Sequence, residues 1–260
     1  MLKLRISNPI FQDLIKLKLI KRNNLKILFH KTRDKKIRVL QDHKSKIIFL
    51  EEDVNNEKKY IKKISSQYFQ HIQKIKKLKV LQDDKNRFNL FKKEIKNKKI
   101  LDYGCGMGGF LSLAKKVSKL SEGYEIMQIS QKELNKKKLF TLNTTKSDLK
   151  GKKFDRIFLF HVLEHMSEQL KELKYLRNLL TINGKLIIEV PHSLDALIVN
   201  KELKSFKEFT FWSEHLILHT KDSLKKFLIH SGFKRVKFIN YQRYDFENHL
   251  NWFIKKKNQM

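Results

Sequence analysis

Hydrophobic residues along this chain switch between two periods. Residues 36–50, KIRVLQDHKSKIIFL, form two short apolar runs around a polar turn at Asp42 to Ser45, which predicts a pair of strands. Ile61, Ile64, Tyr68, Ile72 and Ile75 then recur at helical spacing, and Phe88, Phe91 and Ile95 predict a second helix. Both stripes read as packing faces. KKILDYGCGMGGFLSLAKKVSKL, residues 98–120, opens with a short apolar strand ending at Asp102 and passes through a glycine-rich turn. Phe110, Leu113, Ala114 and Val117 then give a helical stripe. FDRIFLF, residues 154–160, is an unbroken apolar run suited to a buried parallel strand. Ser167 and Glu168 start a helix whose buried side is Leu170, Leu173, Leu176 and Leu180.

This alternation predicts an α/β fold: a Rossmann-like, mostly parallel sheet with helices on both faces. The chain's 260 residues suffice for one full-sized core and a smaller appendage. The glycine motif sets the boundary. Residues 1–95 are expected to form an N-terminal α+β accessory region of a short hairpin and helices, and residues 96–260 the main domain.

A net charge of +31 raises the question of a polyanionic partner, because dense cations release counterions from phosphates. Only nine of the 58 basic residues are Arg, and the lysines spread along the whole chain among Ile and Asn. All three residue types have A/T-rich codons, so genome composition suffices to explain the excess. No apolar run approaches the ~18 residues of a membrane span, and charges at Lys3, Arg5, Asp13, Lys16 and Lys18 interrupt the N-terminus where a secretory segment is apolar. A single cysteine, Cys105, excludes an internal disulfide framework and suits a reducing compartment. A cytoplasmic protein is expected.

Gly104, Gly106 and Gly109 satisfy the dinucleotide pattern G-x-G-x-x-G, and Glu125 lies about 20 residues on, where a ribose-binding acid belongs. The glycines alone do not separate NAD from another adenosine cofactor. Asp102 does: a carboxylate two residues before the first glycine repels a pyrophosphate and attracts the ammonium and sulfonium of S-adenosylmethionine.

At this point the sequence resembles the class I S-adenosylmethionine-dependent methyltransferases, whose acid-x-Gly-x-Gly-x-Gly turn matches Asp102, Gly104, Gly106 and Gly108. KKFDRIFLFHVLEHM resembles their fourth strand and its turn. LLTINGKLIIEVPH, residues 179–192, resembles a helix end, a Gly turn and the fifth strand, and residues 211–233 resemble the late part of a subgroup with a Leu-Glu-His turn. That subgroup includes quinone O-methyltransferases and methyltransferases of sugar and polysaccharide pathways. The resemblance covers about residues 96–252. It implies S-adenosylmethionine as cofactor, held by Asp102, Tyr103, Gly104, Gly106 and Gly108 at the methionine end and by Glu125 at the ribose. Asp148, Phe160 and His161 complete the implied cofactor-binding set.

FHVLEHM, residues 160–166, also contains the His-x-x-Glu-His spacing of inverted zinc peptidases. Metal capture on a helix needs both histidines on one face, whereas His161 and His165 flank a strand-to-helix turn. The resembling quinone enzymes place carboxylate and His around a divalent cation, but His161 stands here where they carry a second acid. No metal is expected.

Methyl transfer mainly requires alignment of donor and acceptor in a dry pocket, with a base where the acceptor is a hydroxyl or protonated amine. Candidates are His165, His192 and His215, with His165 foremost; Phe209, Phe211 and Trp212 are expected to cover the acceptor. The leading expectation is a methyltransferase of a small-molecule acceptor, a sugar or polysaccharide-pathway intermediate. An RNA methyltransferase is the alternative, supported by the charge but lacking an Asn-Pro-Pro-Tyr or Asp-Pro-Pro-Tyr clamp after the fourth strand, where His161-Val162-Leu163 stands. A catalytically silent scaffold is third.

Overall fold

The structure is a computed structural model that describes residues 4–53, 80–137, 140–200 and 202–254. The stripe Ile61 to Ile75 lies outside them. The chain divides into two compact units, one of residues 1–55, 163–174 and 190–260, the other of residues 56–162 and 175–189.

In the first unit, α1 (Ile10–Lys16) precedes β1 (Leu25–Phe29), β2 (Val39–Asp42) and β3 (Ile48–Leu50). The polar turn expected between β2 and β3 is built by Asp42, whose Oδ1 accepts the backbone N–H of Lys44 at 3.0 Å and of Ser45 at 2.8 Å. These bonds replace ladder partners at the reversal, which is why an acid stands there. Ile47, Ile48, Phe49 and Leu50 are all buried, and Phe11 of α1 stacks on Phe49 with ring centroids 6.0 Å apart. Each such side chain stabilises the fold by about 1.5–3 kcal/mol.

Later segments complete this unit: α6 (Ala196–Val199), α7 (Lys204–Thr210), β9 (Ile217–Leu218), α8 (Lys221–His230) and α9 (Phe246–Ile254). β9 pairs antiparallel with β3, giving a four-stranded sheet in the order β1-β2-β3-β9. Asn8, buried, secures the join: its Nδ2 donates to the carbonyls of Leu50 at 2.8 Å and Leu216 at 3.1 Å.

The second unit holds α2 (Gln82–Ile95), β4 (Lys99–Tyr103), α3 (Gly109–Ala114), β5 (Leu120–Tyr124), α4 (Gln128–Lys137), β6 (Thr141–Asn143), β7 (Phe154–Phe160) and β8 (Leu180–Glu189). Its five strands run parallel in the order β6-β5-β4-β7-β8, the Rossmann-like sheet flanked by helices that the sequence predicts. Ile95, Ile100, Phe110, Leu111, Ala114 and Phe158 form its core. The helix predicted from Phe88, Phe91 and Ile95 is α2, so residues 80–95 belong with the parallel sheet.

The helix α5 (Gln169–Leu179) runs directly into β8, so Leu180, expected on the helix, is the first strand residue. Between Phe154↔Leu180 and Arg156↔Lys185 the pairing skips Thr181 to Gly184, which form the expected Gly turn as an irregularity within β8. Ile182 at its tip is fully exposed. Among the described residues, no helix is long and apolar enough to cross a membrane.

Candidate active site

β4 lies at the centre of the parallel sheet, with β5 and β6 on one side and β7 and β8 on the other. The chain order reverses there, so the C-terminal end of β4 opens the crevice in which α/β sheets bind ligands. The glycine turn occupies that position. Gly104 has φ +84° and Gly108 φ +71°, left-handed values that side chains rarely adopt. Space is equally restrictive: a Cβ on Gly104 would stand 2.6 Å from Val162 Cγ2 and one on Gly108 2.5 Å from the Phe140 ring.

Three carboxylates gather at this turn. Asp102 is buried at the end of β4 and accepts no hydrogen bond among the described residues; burial, with Asp84 and Glu125 opposing its charge and Arg87 favouring it, pushes its pKa up to about 8. Glu125, immediately after β5, accepts the backbone N–H of Gly106 at 2.8 Å and of Met127 at 2.8 Å. Its burial outweighs those bonds and raises it to about 7. Asp84 of α2 caps its own helix through the Leu81 N–H at 2.9 Å and occupies the space that a Cβ of Gly109 would take at the start of α3. Glycine at 109 is thus what lets this acid reach the turn.

The arrangement fits a cationic cofactor. A buried carboxylate without a donor is costly unless a positive group meets it, and the ammonium and sulfonium of S-adenosylmethionine supply that charge. An open cleft of about 480 Å³ lies alongside, lined by Tyr124, Ile126, Gln128, Gln131, Thr144 and Thr145 with Lys146.

The other expected cofactor residues take different positions. Tyr103 stacks on Tyr124 with centroids 4.3 Å apart. Asp148 accepts the backbone N–H groups of Thr144 at 2.8 Å and Thr145 at 2.9 Å, which holds its carboxyl below the usual range and shapes the cleft's rim. Phe160 ends β7 beneath the Arg87 guanidinium, 4.7 Å from the ring. His161 adopts φ +55° and directs Nε2 to Glu189 Oε1 at 2.9 Å.

Glu189 also receives a two-pronged bond from Arg87, Nε to Oε2 at 2.9 Å and Nη2 to Oε1 at 2.8 Å. Despite burial, the donors from His161 and Arg87 hold its carboxyl well below the usual value. Sequence reasoning missed Arg87, Glu189 and Asp84. The one available signal was the acid at 189, at the C-terminal end of an apolar strand.

In the first unit, the expected catalytic histidines separate. His165, in the 3-10 turn Leu163–His165, donates Nδ1–H to the Glu214 carbonyl at 2.8 Å, and His215 donates Nδ1–H to the Thr210 carbonyl at 2.8 Å. Each bond fixes the tautomer in which Nε2 carries the lone pair. The two rings lie 5.0 Å apart, and Trp212 stands edge-on to both, at 5.9 and 5.6 Å. Buried Glu164 joins them: one ligand atom each from Glu164, His165 and His215 lies within 4.8 Å of the others, a spacing that a divalent cation could bridge.

His192 is not in that cluster. It bridges to His219, and its buried Nε2 meets no hydrogen-bond partner among the described residues. Of the aromatic segment, Trp212 meets the histidines. Phe209 packs toward Trp252 and Tyr244, and Phe211 toward Phe29.

A methyltransferase-domain family matches residues 69–237, well over half of the chain. The chain is 32% identical over 137 residues to the uncharacterized protein MJ0638 of Methanocaldococcus jannaschii, covering 53% of this chain and 55% of that protein, so the match spans about half of that relative's length. Its fold is shared with a crystal structure of a SAM-dependent methyltransferase from Archaeoglobus fulgidus, at 22% identity and TM-score 0.51, over 74% of this chain and 92% of that one. The family match, together with the parallel sheet and the buried acids around its glycine turn, makes this chain a member of the methyltransferase-domain family.

Proposed function

We propose that the chain methylates a small-molecule acceptor, a hydroxylated or amino metabolite of a sugar or polysaccharide pathway, in the cytoplasm. The observation that carries this reading is the pair His165 and His215, each tied by Nδ1 to a backbone carbonyl and flanked by Glu164 and Trp212. Two imidazoles oriented this way offer basic nitrogens to a compact polar acceptor. Cys105, buried and without a disulfide, agrees with a reducing compartment.

When bound, S-adenosylmethionine supplies an electrophilic methyl group on a positively charged sulfur. In this reading Asp102 would hold the ammonium end, Glu125, now bonded by the Gly106 and Met127 N–H groups, would hold the ribose hydroxyls, and the cleft at Tyr124 and Thr145 would receive the nucleoside. Asp148 and Tyr103 shape the cleft, and Phe160 and His161 finish the strand end. His165 takes the acceptor's proton on Nε2, while Glu164 stabilises the resulting imidazolium. His215 orients the acceptor. His192 supports the segment after β8.

The charge of +31 favours RNA as a second reading. Labelled S-adenosylmethionine offered with total RNA and, separately, with a nucleotide-sugar and small-metabolite extract distinguishes the two. Label in the small-metabolite fraction is the expected result; label mainly in RNA, persisting at physiological salt, overturns it.

A further inference from the structure

The last helix, α9, is apolar on two opposite sides. Trp252 is its anchor, 3% exposed, with its ring edge-on to Phe206 at 4.8 Å and to Tyr244 at 4.7 Å. At 100° per residue, Phe246, Leu250, Phe253 and Ile254 fall on one stripe about 100° wide, roughly 150° from Trp252. That stripe is bare: Phe246 is 76%, Leu250 39%, Phe253 50% and Ile254 72% exposed. Ile239 at 63% and Tyr241 at 37% extend the apolar surface into the segment before the helix. Packing within the first unit explains the Trp252 side and leaves the opposite side unexplained.

The surrounding charge indicates what covers it. Residues 234–257 carry Lys234, Arg235, Lys237, Arg243, Lys255, Lys256 and Lys257 against Asp245 and Glu247 alone. Along the sequence the cations fall before and after the stripe, and those from Lys234 to Arg243 are exposed. We propose that α9 lies in the interface of an anionic lipid bilayer, its Phe246-Leu250-Phe253-Ile254 stripe among the acyl chains and the flanking lysines and arginines on the phosphates. Amphipathic interfacial helices bind by this combination of apolar burial and attraction between cations and anionic headgroups. A second copy of the chain is disfavoured as occupant, because two surfaces of the same strong positive sign repel. RNA is disfavoured because none of the four stripe residues carries a cation or hydrogen-bond donor for a phosphate, and Leu250 and Ile254 offer no ring on which a base stacks.

The proposal does not depend on the acceptor assigned above, and its test does not use activity. The intact chain is floated with vesicles of phosphatidylcholine alone or with one third phosphatidylglycerol, at low and at high salt. Expected results are flotation with the anionic vesicles only, a residual fraction that survives high salt, and a loss of at least tenfold in F246S/F253S. K255Q/K256Q/K257Q should lower binding several-fold at low salt. F246S/F253S changes exposed positions, and an unchanged thermal melt of each variant confirms that it folds. Three results overturn the proposal. The first is flotation of F246S/F253S like the parent, which reduces the binding to diffuse charge. No binding to either vesicle is the second. The third is an unliganded dimer that F246S/F253S converts to monomer, which assigns the stripe to a second copy.

Discussion

His161, the residue after β7, and Glu189, the last residue of the neighbouring parallel strand β8, are joined twice, once by the His161 backbone N–H to the Glu189 carbonyl at 2.9 Å and once between their side chains at 2.9 Å. Arg87 closes the group from α2. Removing one partner leaves a largely buried charge unpaired, so Arg87→Ala should cost about 3–5 kcal/mol in denaturant unfolding. Because the carboxyl of Glu189 is depressed, its contribution is present above the ordinary Glu value of 4.5 and lost as pH falls below it. Glu189→Gln should therefore flatten the acid limb of the stability profile. An acid limb unchanged in that variant would separate this ion group from stability.

Asp102 and Glu125 behave oppositely. Their folded values, about 8 and about 7, exceed the ordinary ones, so the stability they contribute is complete near pH 4 and lost as pH rises through 7 to 8. His219, kept neutral by burial with a value of about 3, loses stability only as pH falls below 6.5 and stays out of this window. The cofactor-free protein should melt lower at pH 8.5 than at 6.5, and Asp102→Asn should remove part of that difference. A cationic cofactor favours the ionised acids, so its affinity should rise between pH 6 and 8 with release of protons. Calorimetry in buffers of different ionisation enthalpy reads this directly; affinity without pH dependence or proton release would contradict the placement of Asp102.

Gly104→Ala combines a left-handed φ with a Cβ 2.6 Å from Val162 Cγ2. The strained backbone alone costs of the order of 1–3 kcal/mol. The expected outcome is lower stability and no measurable binding of S-adenosylhomocysteine. Adding Val162→Ala should recover part of the stability, that of the clash, but not binding, because the strained φ remains.

If His165 is the base, His165→Ala should lower methyl transfer on the order of 10²–10⁴-fold and leave cofactor affinity within a factor of two. His165→Gln retains a donor to the Glu214 carbonyl and should be equally slow. Equal losses of activity, cofactor affinity and melting temperature would make His165 a support of the turn.

The proposed chemistry uses no metal. Protein purified without added cations should hold less than one equivalent of zinc, and prolonged chelation should leave turnover unchanged. Activity lost on chelation and restored by one divalent cation would instead assign Glu164, His165 and His215 as its ligands.

That Asp102 and Glu125 meet at a glycine turn was legible because the signals are local. Asp102 and Glu125 each sit at the end of a short apolar strand, and the glycines between them admit few conformations. The ion group at His161 was not legible. Arg87 reaches Glu189 across 102 positions, and α2 showed only a packing stripe, in which Arg87 reads as an ordinary charge on a solvated face. The histidines were read as strand-end residues, which placed His165 and His192 alike. Their difference depends on the carbonyl of Glu214 and the bridge to His219, tertiary contacts without a sequence pattern. Phe209 and Phe211 share an apolar segment with Trp212, and periodicity could not reveal that they pack elsewhere.

The pairing of β3 with β9 has a consequence for synthesis. Ile48 meets Leu218, so the first three strands of that sheet leave the ribosome before their fourth partner has been translated. At ~5–20 residues per second the interval is roughly 10–30 s. Throughout it the apolar β3 presents an open edge, and nascent chains crowded on one messenger are most prone to coalesce there. Slow translation over residues 50–218 should therefore raise the insoluble fraction, and a chaperone that shields strand edges during elongation should restore the yield.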